Sequence, residues 1–520
     1  MRYYIRFLLS LLSAVLCFIA FVGFDQWYLA FISWVPLLVA VEGLPIRHVF
    51  ILTLFMGTVA HFGGYYWLPG TLKNFGNFNW FLAYFFSIVL NIYQGLSFAI
   101  ITTIRAFFRQ KGKNSLFLSA IAFSAVEEFF PNLFPIFWGN TLYKIPVLVQ
   151  SVDLLGVTFI TTLIILINLA IAEFIISIVY RKKNISFRWE LIAICALWIF
   201  NITYGIFRIR QVEKITESSE KIKIGVVQGN LGLMEKRQSP EESIRIHQNM
   251  SIDLEKKGAE LIVWSESAVN YHIPAGIKNL KKPILQKIET PVIFGAIRME
   301  KDGNRIKEYN TAYLLDEKGN ILGYYDKVYL LAFGEYIPFG DKFPKLYEWS
   351  PNSGAFSKGK SVHPVSFKNH KIGIMICYED ILPDFVRKLM NSSEGKSDIL
   401  INITNDGWFG KTNEPWIHLG LSIMRSIELR RWLIRSTNSG ISAAIDPIGR
   451  IVKNTQVMEK ESFVVEAGFI TIDTIYRKAG WLYGYFCLTI VLILFIFSFK
   501  KTYKEHEKNG FKKRKKKSKS

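Results

Sequence analysis

The sequence predicts a multispan α-helical membrane domain of about eight spans joined to an α/β sandwich domain, and three observations carry that reading. Half of the 520 residues are hydrophobic and 15% are aromatic, more than a water-soluble chain of this length needs to fill a core. The apolar residues are unevenly spread: residues 1–207 are nearly continuous apolar blocks, residues 220–470 mix strand-like and amphipathic runs, and residues 480–499 form one final apolar block. Positive charge collects in the gaps between blocks and behind the last one.

About twenty apolar residues cross a bilayer core, which places spans at 7–24, 27–43, 49–68, 80–104, 115–137, 154–179, 190–207 and 480–499. Glu127, Glu128 and Pro131 interrupt the fifth. Arg2 and Arg6 ahead of the first block also suit a signal peptide, but no A-x-A-like cleavage site follows, so the block reads as a span. Arg47, then Arg105, Arg109, Lys111 and Lys113, then Arg181, Lys182, Lys183 and Arg188, and finally the tail all follow even-numbered spans. The other loops carry only sparse charges such as Asp25, Lys73 and Lys144. The positive-inside rule then puts both termini in the cytoplasm and residues 220–470 on the outer face. The tail 500–520 holds eleven Lys or Arg against Glu505 and Glu507, which is +9 of the formal +21. Charge distributed this way anchors a membrane protein and argues against a nucleic-acid partner. Cys17, Cys195 and Cys487 lie inside apolar blocks, so no disulfide framework forms and Cys377 is left without a partner.

Between 220 and 470 the strand candidates are 222–228, 261–264, 291–298, 309–316, 321–328, 371–377, 398–404, 433–446 and 461–470, with helical patterns at 240–257 and 416–431. Such alternation favours sheets covered by helices. Glycine-rich phosphate loops, HExxH and CxxC are absent from the sequence, which leaves nucleotide and zinc chemistry unsupported. His272, His363, His370 and His418 read as surface or hydrogen-bonding residues.

Three strand ends carry groups that an apolar core would not select. Leu261-Ile-Val-Trp-Ser-Glu266 ends in a carboxylate, Tyr324-Tyr-Asp-Lys327 in an ammonium and Ile372–Cys377 in a thiol. If they converge, Glu266 takes the thiol proton, Lys327 stabilises thiolate and then a tetrahedral oxyanion, and Cys377 attacks a carbonyl. An adjacent cation is expected to lower a thiol pKa of about 8.5 toward neutrality.

These segments together, with Phe333-Gly-Glu335-Tyr-Ile-Pro338 and Ile376-Cys377-Tyr378-Glu379, resemble the Glu-Lys-Cys triad of the nitrilase (carbon-nitrogen hydrolase) superfamily. Val226-Val-Gln-Gly-Asn230, Thr404-Asn-Asp-Gly-Trp-Phe-Gly410, Pro415-Trp416 with His418, and Arg435-Ser-Thr-Asn-Ser-Gly-Ile441 are similar to the bacterial apolipoprotein N-acyltransferase family. The resemblance implies a nitrilase-like α-β-β-α sandwich held between the seventh and eighth of eight spans. Glu266 is then the general base, Lys327 the oxyanion-stabilising residue, Cys377 the acylated nucleophile, Glu335 a second glutamate orienting the others, and Tyr378 and Glu379 supporting residues. It further implies a ping-pong transfer of an acyl chain, typically the sn-1 chain of phosphatidylethanolamine, to the α-amino group of a diacylglyceryl-cysteine on a lipoprotein. The partners would be a phospholipid donor, a diacylglyceryl-lipoprotein acceptor and the inner membrane, with no cofactor or metal. Three positions depart from the family pattern: Ala332 replaces a proline, the tryptophan expected beside Lys236 and Arg237 is missing, and no arginine follows Glu127-Glu-Phe-Phe-Pro131. A membrane-tethered amidase or nitrilase with water as acceptor shares the triad but leaves seven preceding spans unexplained. A non-catalytic receptor or transporter would have no use for an intact triad. The roles of Glu127, Glu128 and Glu173 at membrane depth stay open.

Overall fold

Where no water can serve the backbone, a single segment satisfies its own N–H and C=O groups only as a helix, and the apolar blocks fold accordingly. The computed structural model describes residues 1–498 apart from 77, 133, 181–187, 233–234, 236–238, 304, 333, 338, 341, 346 and 348–353. The first part comprises α1 (Tyr3–Ala20), α2 (Val35–Ala40), α3 (Ile46–Gly64), α4 (Leu68–Gly76), α5 (Trp80–Gln110), α6 (Leu116–Phe129), α7 (Pro146–Val149), α8 (Val152–Leu155), α9 (Val157–Val179) and α10 (Arg188–Ser218). Among the described residues six helices are long and apolar enough to cross a bilayer: α1, α3, α5, α9, α10 without its first residue, and Tyr476–Ser498. The two other expected spans are shorter. Residues 27–43 become a 3-10 turn over Trp27–Phe31 and then α2, with Pro36 in its first turn. Residues 115–137 become α6, which ends at Phe129 ahead of Pro131 because the residue before a proline is pushed out of the helical region. Its 14 residues cover about 21 Å, short of a ~30 Å hydrocarbon core. Conversely, α10 continues eleven residues past 207, since its charged end is still made of good helix formers such as Arg208, Arg210 and Lys214. Arg181, Lys182 and Lys183 and the basic tail lie outside the described residues.

Small residues bring α3 and α5 together. A Cβ at Gly57 would stand 2.9 Å from Gly95 Cα, and one at Gly95 would stand 2.8 Å from Thr58 N, so the two backbones touch as glycine-lined membrane helices do. Arg105 pairs with Glu173 at 2.6 Å, and Arg109 pairs with Glu173 and with Glu42 at 3.0 Å. Glu173 is thereby a clasp between α5 and α9. Large apolar side chains such as Phe81 on α5, Trp189 and Phe207 on α10, and Phe486 and Phe497 near the C-terminal end are exposed. Side chains like these suit a lipid-facing surface.

The second part holds two sheets. The strands are β1 (Lys221–Gln228), β2 (Leu261–Val263), β3 (His272–Pro274), β4 (Val292–Asp302), β5 (Arg305–Leu315), β6 (Ile321–Asp326), β7 (Val365–Phe367), β8 (His370–Ile376), β9 (Ile399–Thr404), β10 (Leu433–Thr437), β11 (Ala443–Ile445), β12 (Ile451–Asn454) and β13 (Glu461–Gly468). One sheet runs β13-β1-β2-β4-β5-β6 with β3 beside β4, and the other runs β12-β11-β10-β9-β8-β7. β1, β2 and β4 are mutually parallel, as are β8, β9 and β10. Such strands are buried on both faces, and Leu261-Ile-Val and Ile399–Thr404 read as unbroken buried runs for that reason. The single strand expected at 433–446 is two, because Asn438-Ser-Gly440 turns the chain so that β11 pairs antiparallel with β10.

Helix α11 (Pro240–Lys256) covers the first sheet through Ile244 and Leu254 against Val227, Ile262 and Phe294. Helices α12 (Pro383–Met390) and α13 (Glu414–Leu429) cover the second through Phe385, Leu389, Met424 and Ile427. The order helix, sheet, sheet, helix is that of a nitrilase-like sandwich. Ser436 on β10 stitches the sheets by donating to Val227 O at 3.0 Å and Val263 O at 3.1 Å. The final helix, α14 (Tyr476–Ser498), follows β13.

Candidate active site

Buried strands end abruptly, and the residues that follow their C-terminal ends are free to carry chemistry. Glu266 lies three residues past β2, Lys327 directly follows β6 and Cys377 directly follows β8. The structure brings them together. Lys327 is 1% exposed, and its Nζ lies 2.7 Å from Glu335 Oε2 and 3.7 Å from Glu266 Oε1. The Cys377 thiol feels the charges of all three and has Thr404 as its hydrogen-bond partner.

Asn310, in the middle of β5, was not foreseen. Its side-chain amide donates to Glu266 Oε1 at 2.7 Å and to Glu335 Oε1 at 2.8 Å, and its carbonyl accepts from Lys327 N at 2.8 Å. One residue thus spaces two carboxylates around the ammonium. Its strand also carries Arg305, Lys307, Glu308 and Thr311, so no local pattern set Asn310 apart.

Burial is the largest influence on Lys327 and opposes its charge, but the neighbouring carboxylates, Glu335 first and then Glu266, hold the ammonium above its ordinary pKa. Burial also dominates at Cys377 and raises the thiol, with Glu266 adding to the rise and Lys327 pulling down. This departs from the expectation of a thiolate favoured by Lys327: two carboxylates and a dry surrounding outweigh one cation. The resting group is a neutral thiol, and its proton has to leave as the bond forms.

Cys377 adopts φ +54°, the left-handed region that costs a non-glycine residue about 1–3 kcal/mol and persists only where its surroundings enforce it. The enforcing contacts are visible. Glu379, in the same 3-10 turn, accepts from Ile376 N, Tyr325 Oη, Val328 N and Tyr329 N at 2.8–3.0 Å, which clamps the turn to the segment carrying Lys327. Burial pushes the Glu379 carboxyl up to about 7 against these donors. On the other side, Asn402 Nδ2 donates to Cys377 O at 2.9 Å and Asn402 Oδ1 accepts from Arg435 at 3.1 Å.

Arg435 belongs to a closed, fully buried ring of four charges. It donates to Asp380 at 2.7 Å and Asp406 at 2.9 Å, and His418 bridges the same two carboxylates at 3.0 and 2.9 Å. Burial and Arg435 oppose the imidazolium, but Asp406 and Asp380 hold it up to about 9. Asp380 is in the same turn as Cys377, so the ring fixes that turn from behind. Of the four histidines expected to serve as surface or hydrogen-bonding groups, His418 is buried in this ring. Ala332 forms a bridge to Tyr336 in the loop that carries Glu335; Phe333, Lys236 and Arg237 lie outside the described residues.

The site faces the helical part. Tyr378 packs edge-on at 6.3 Å from Phe134, which follows α6, and Phe409 lies 5.0 Å from Trp67. Arg430 meets Asp153 of α8 at 2.8 Å. Glu127 and Glu128 sit nearby, accepting from Trp138 N and Thr158 Oγ1 respectively.

Comparison with known proteins agrees with both halves. Residues 13–170 match the model described as apolipoprotein N-acyltransferase N-terminal domain, and residues 223–473 match carbon-nitrogen hydrolase. The apolipoprotein N-acyltransferase of Geobacter metallireducens is 27% identical over 96% of this chain and 96% of that one. Apolipoprotein N-acyltransferase 2 of Treponema denticola is 32% identical over 63% of this chain and 66% of that one. Among solved structures, an amidase from Nesterenkonia sp. is similar over 49% of this chain and 92% of that one, with 17% identity and a TM-score of 0.35. With a helical half and a sandwich half that each match in the same order, and a relative aligned end to end, this chain belongs to the apolipoprotein N-acyltransferase family.

Proposed function

We infer that this protein transfers an acyl chain from a phospholipid to the α-amino group of an N-terminal diacylglyceryl-cysteine on a lipoprotein, through a thioester at Cys377. The observation that carries the reading is the cluster of Cys377, Lys327 and two glutamates, with the Cys377 turn packed against the loops of a bundle with six membrane-length helices. Extracting a palmitoyl-length chain of about fourteen methylenes into water would cost on the order of 11 kcal/mol. A catalytic turn resting on the bundle removes that need.

The steps follow from the site. The Cys377 thiol passes its proton to Glu266 while Sγ attacks the ester carbonyl, and Lys327 balances the oxyanion that develops. Collapse breaks the C–O bond, and the departing lysophospholipid oxygen takes the proton back from Glu266. The acceptor amine then attacks the thioester, gives a proton to Glu266, and the returning Cys377 sulfur recovers it. Glu335, spaced by Asn310, orients Lys327 and Glu266, while Tyr378 and Glu379 hold the turn. The proposed organisation is a membrane domain over 1–207 with seven crossings, of which α2 and α6 are the short ones, a catalytic domain over 220–470, an eighth crossing over 480–499 and a basic tail over 500–520. The proposed location is the bacterial inner membrane, with the catalytic domain periplasmic and both termini cytoplasmic by charge distribution. Support for two short crossings comes from the apolar character of Trp27–Ala40 and Leu116–Phe129.

The test separates transfer from hydrolysis. Given phospholipid alone, the enzyme should stall as an acyl-thioester at Cys377 with one equivalent of lysophospholipid released, and a diacylglyceryl-cysteine peptide with a free amine should restart turnover. Cys377→Ala should do neither. Continuous release of free fatty acid without any peptide would instead establish the tethered hydrolase.

A further inference from the structure

Under the loop that carries Phe134, helices α1, α3, α5 and α6 enclose a cavity. Its walls are mostly apolar, with Phe18, Phe21, Phe98, Phe123 and Trp138 among them. Polar side chains that the mechanism does not use also line it. Tyr65 is 4% exposed and Gln94 1%; the Tyr65 hydroxyl lies toward Gln94 and the Glu127 carboxyl toward Thr161, yet the Tyr65 hydroxyl, Gln94 Oε1 and Glu127 Oε2 are buried with no hydrogen bond of good geometry made to them. His61, also in the lining, bonds Gly57 O through Nδ1 at 2.8 Å; a carbonyl requires a donor there, so Nε2 of the neutral ring is an acceptor. Buried polar groups in native proteins are almost always satisfied, and lipid tails cannot satisfy these.

Among the lining atoms left without a bond, acceptors predominate. Gln94 Oε1, Glu127 Oε2 and His61 Nε2 accept, the Tyr65 hydroxyl does either, and no Lys or Arg occurs among the described lining residues. Such a set repels phosphate and suits a cation with several N–H groups, which the aromatic walls further favour through their ring faces. We propose that this cavity receives a primary ammonium carried on a lipid, with its N–H groups donating to Gln94 Oε1, Glu127 Oε2 and the Tyr65 oxygen. The proposal rests on the acyl-transfer reading, in which two participants carry that group: the ethanolamine headgroup of the donor and the amino terminus of the diacylglyceryl-cysteine acceptor.

The experiment uses the full chain in lipid nanodiscs and treats the half-reactions separately. The first is the lysophospholipid burst from phosphatidylethanolamine or from phosphatidylglycerol with the same chains, and the second is the reaction of preloaded thioester with a diacylglyceryl-cysteine peptide. Gln94→Leu and Glu127→Gln each remove one acceptor, and Gln94→Glu adds a charge in place. A donor-ammonium site raises KM for phosphatidylethanolamine about tenfold more than KM for phosphatidylglycerol in the first two variants, the scale of one charge-assisted hydrogen bond, with kcat held. An acceptor-ammonium site instead raises the peptide KM about tenfold and leaves donor preference as in the wild type. In either case Gln94→Glu moves the same constant the opposite way, which a merely destabilised bundle does not do. Equal losses with both donors, or no change in any constant, overturn the proposal in favour of an acyl-chain or water-filled cavity. A wild-type enzyme that forms no thioester with either donor defeats the acyl-transfer reading itself.

Discussion

Asn310 decides how far apart the site keeps its charges. Its amide meets one oxygen of Glu266 and one of Glu335, and without it two carboxylates beside one ammonium would compete for Lys327. Glu266→Gln removes the base and Lys327→Met the charge that meets the oxyanion, so each should slow thioester formation about 10²–10⁴-fold as read by the lysophospholipid burst. A wild-type burst from either variant would refute that residue's role. Asn310→Leu should slow the same burst while Cys377 still reacts with a small thiol reagent, since the nucleophile is untouched. The convergence of Glu266, Lys327 and Cys377 was legible in sequence because each follows an apolar strand with a group that strand has no use for. Asn310 was not, because its value lies in a contact 44 residues from Glu266 and 25 from Glu335, and no local pattern encodes such a meeting.

At the scale of elements, the turn of Cys377 is held from both sides, by Glu379 and by the ring of Asp380, Arg435, Asp406 and His418. Removing one partner from a buried charged ring leaves the others uncompensated, which typically costs about 3–5 kcal/mol, so Arg435→Leu should unfold the sandwich far below the wild-type temperature. His418 gives a gentler reading through pH. Its folded pKa of about 9 lies above an unfolded value of about 6.5. Its contribution to stability is therefore fully present below 6.5 and lost as pH rises through 9. The thermal midpoint should fall across that window in the wild type and lose this slope in His418→Gln, measured in detergent from pH 6 to 9.5. Glu379, raised to about 7 from about 4.3, places its own loss lower, between those values, so the two titrations separate. Strand and helix positions were readable wherever burial on both faces wrote an apolar run. The hairpin from β10 to β11 and the short β3, β7 and β12 were not, since three or four residues carry too little periodicity and their pairing is set by distant strands.

For the whole molecule, charge distribution predicts an orientation that the apolar pattern alone does not. A phosphatase fused after Ser520 should be inactive and one inserted at Gly303 active; the reverse pattern would overturn the topology and the access to exported lipoproteins that depends on it. The count of crossings was less legible, because a turn near Trp27–Phe31 and a proline at 131 shorten two apolar blocks without changing their composition. The attachment of the sandwich has a further consequence. Helix α10 runs almost straight into β1, α14 follows β13, and Lys221 is paired with Gly468 across these neighbouring strands. The chain therefore enters and leaves the sandwich domain at nearly one point on one sheet edge. A domain whose two ends meet can be added to a helical loop without rerouting either flanking helix, so the helical part should keep its packing if residues 221–468 were exchanged for a few glycines and serines. The catalytic half is in this sense a plug-in cassette on a helical scaffold, entered and left at one place and held against it by buried contacts such as Arg430 with Asp153.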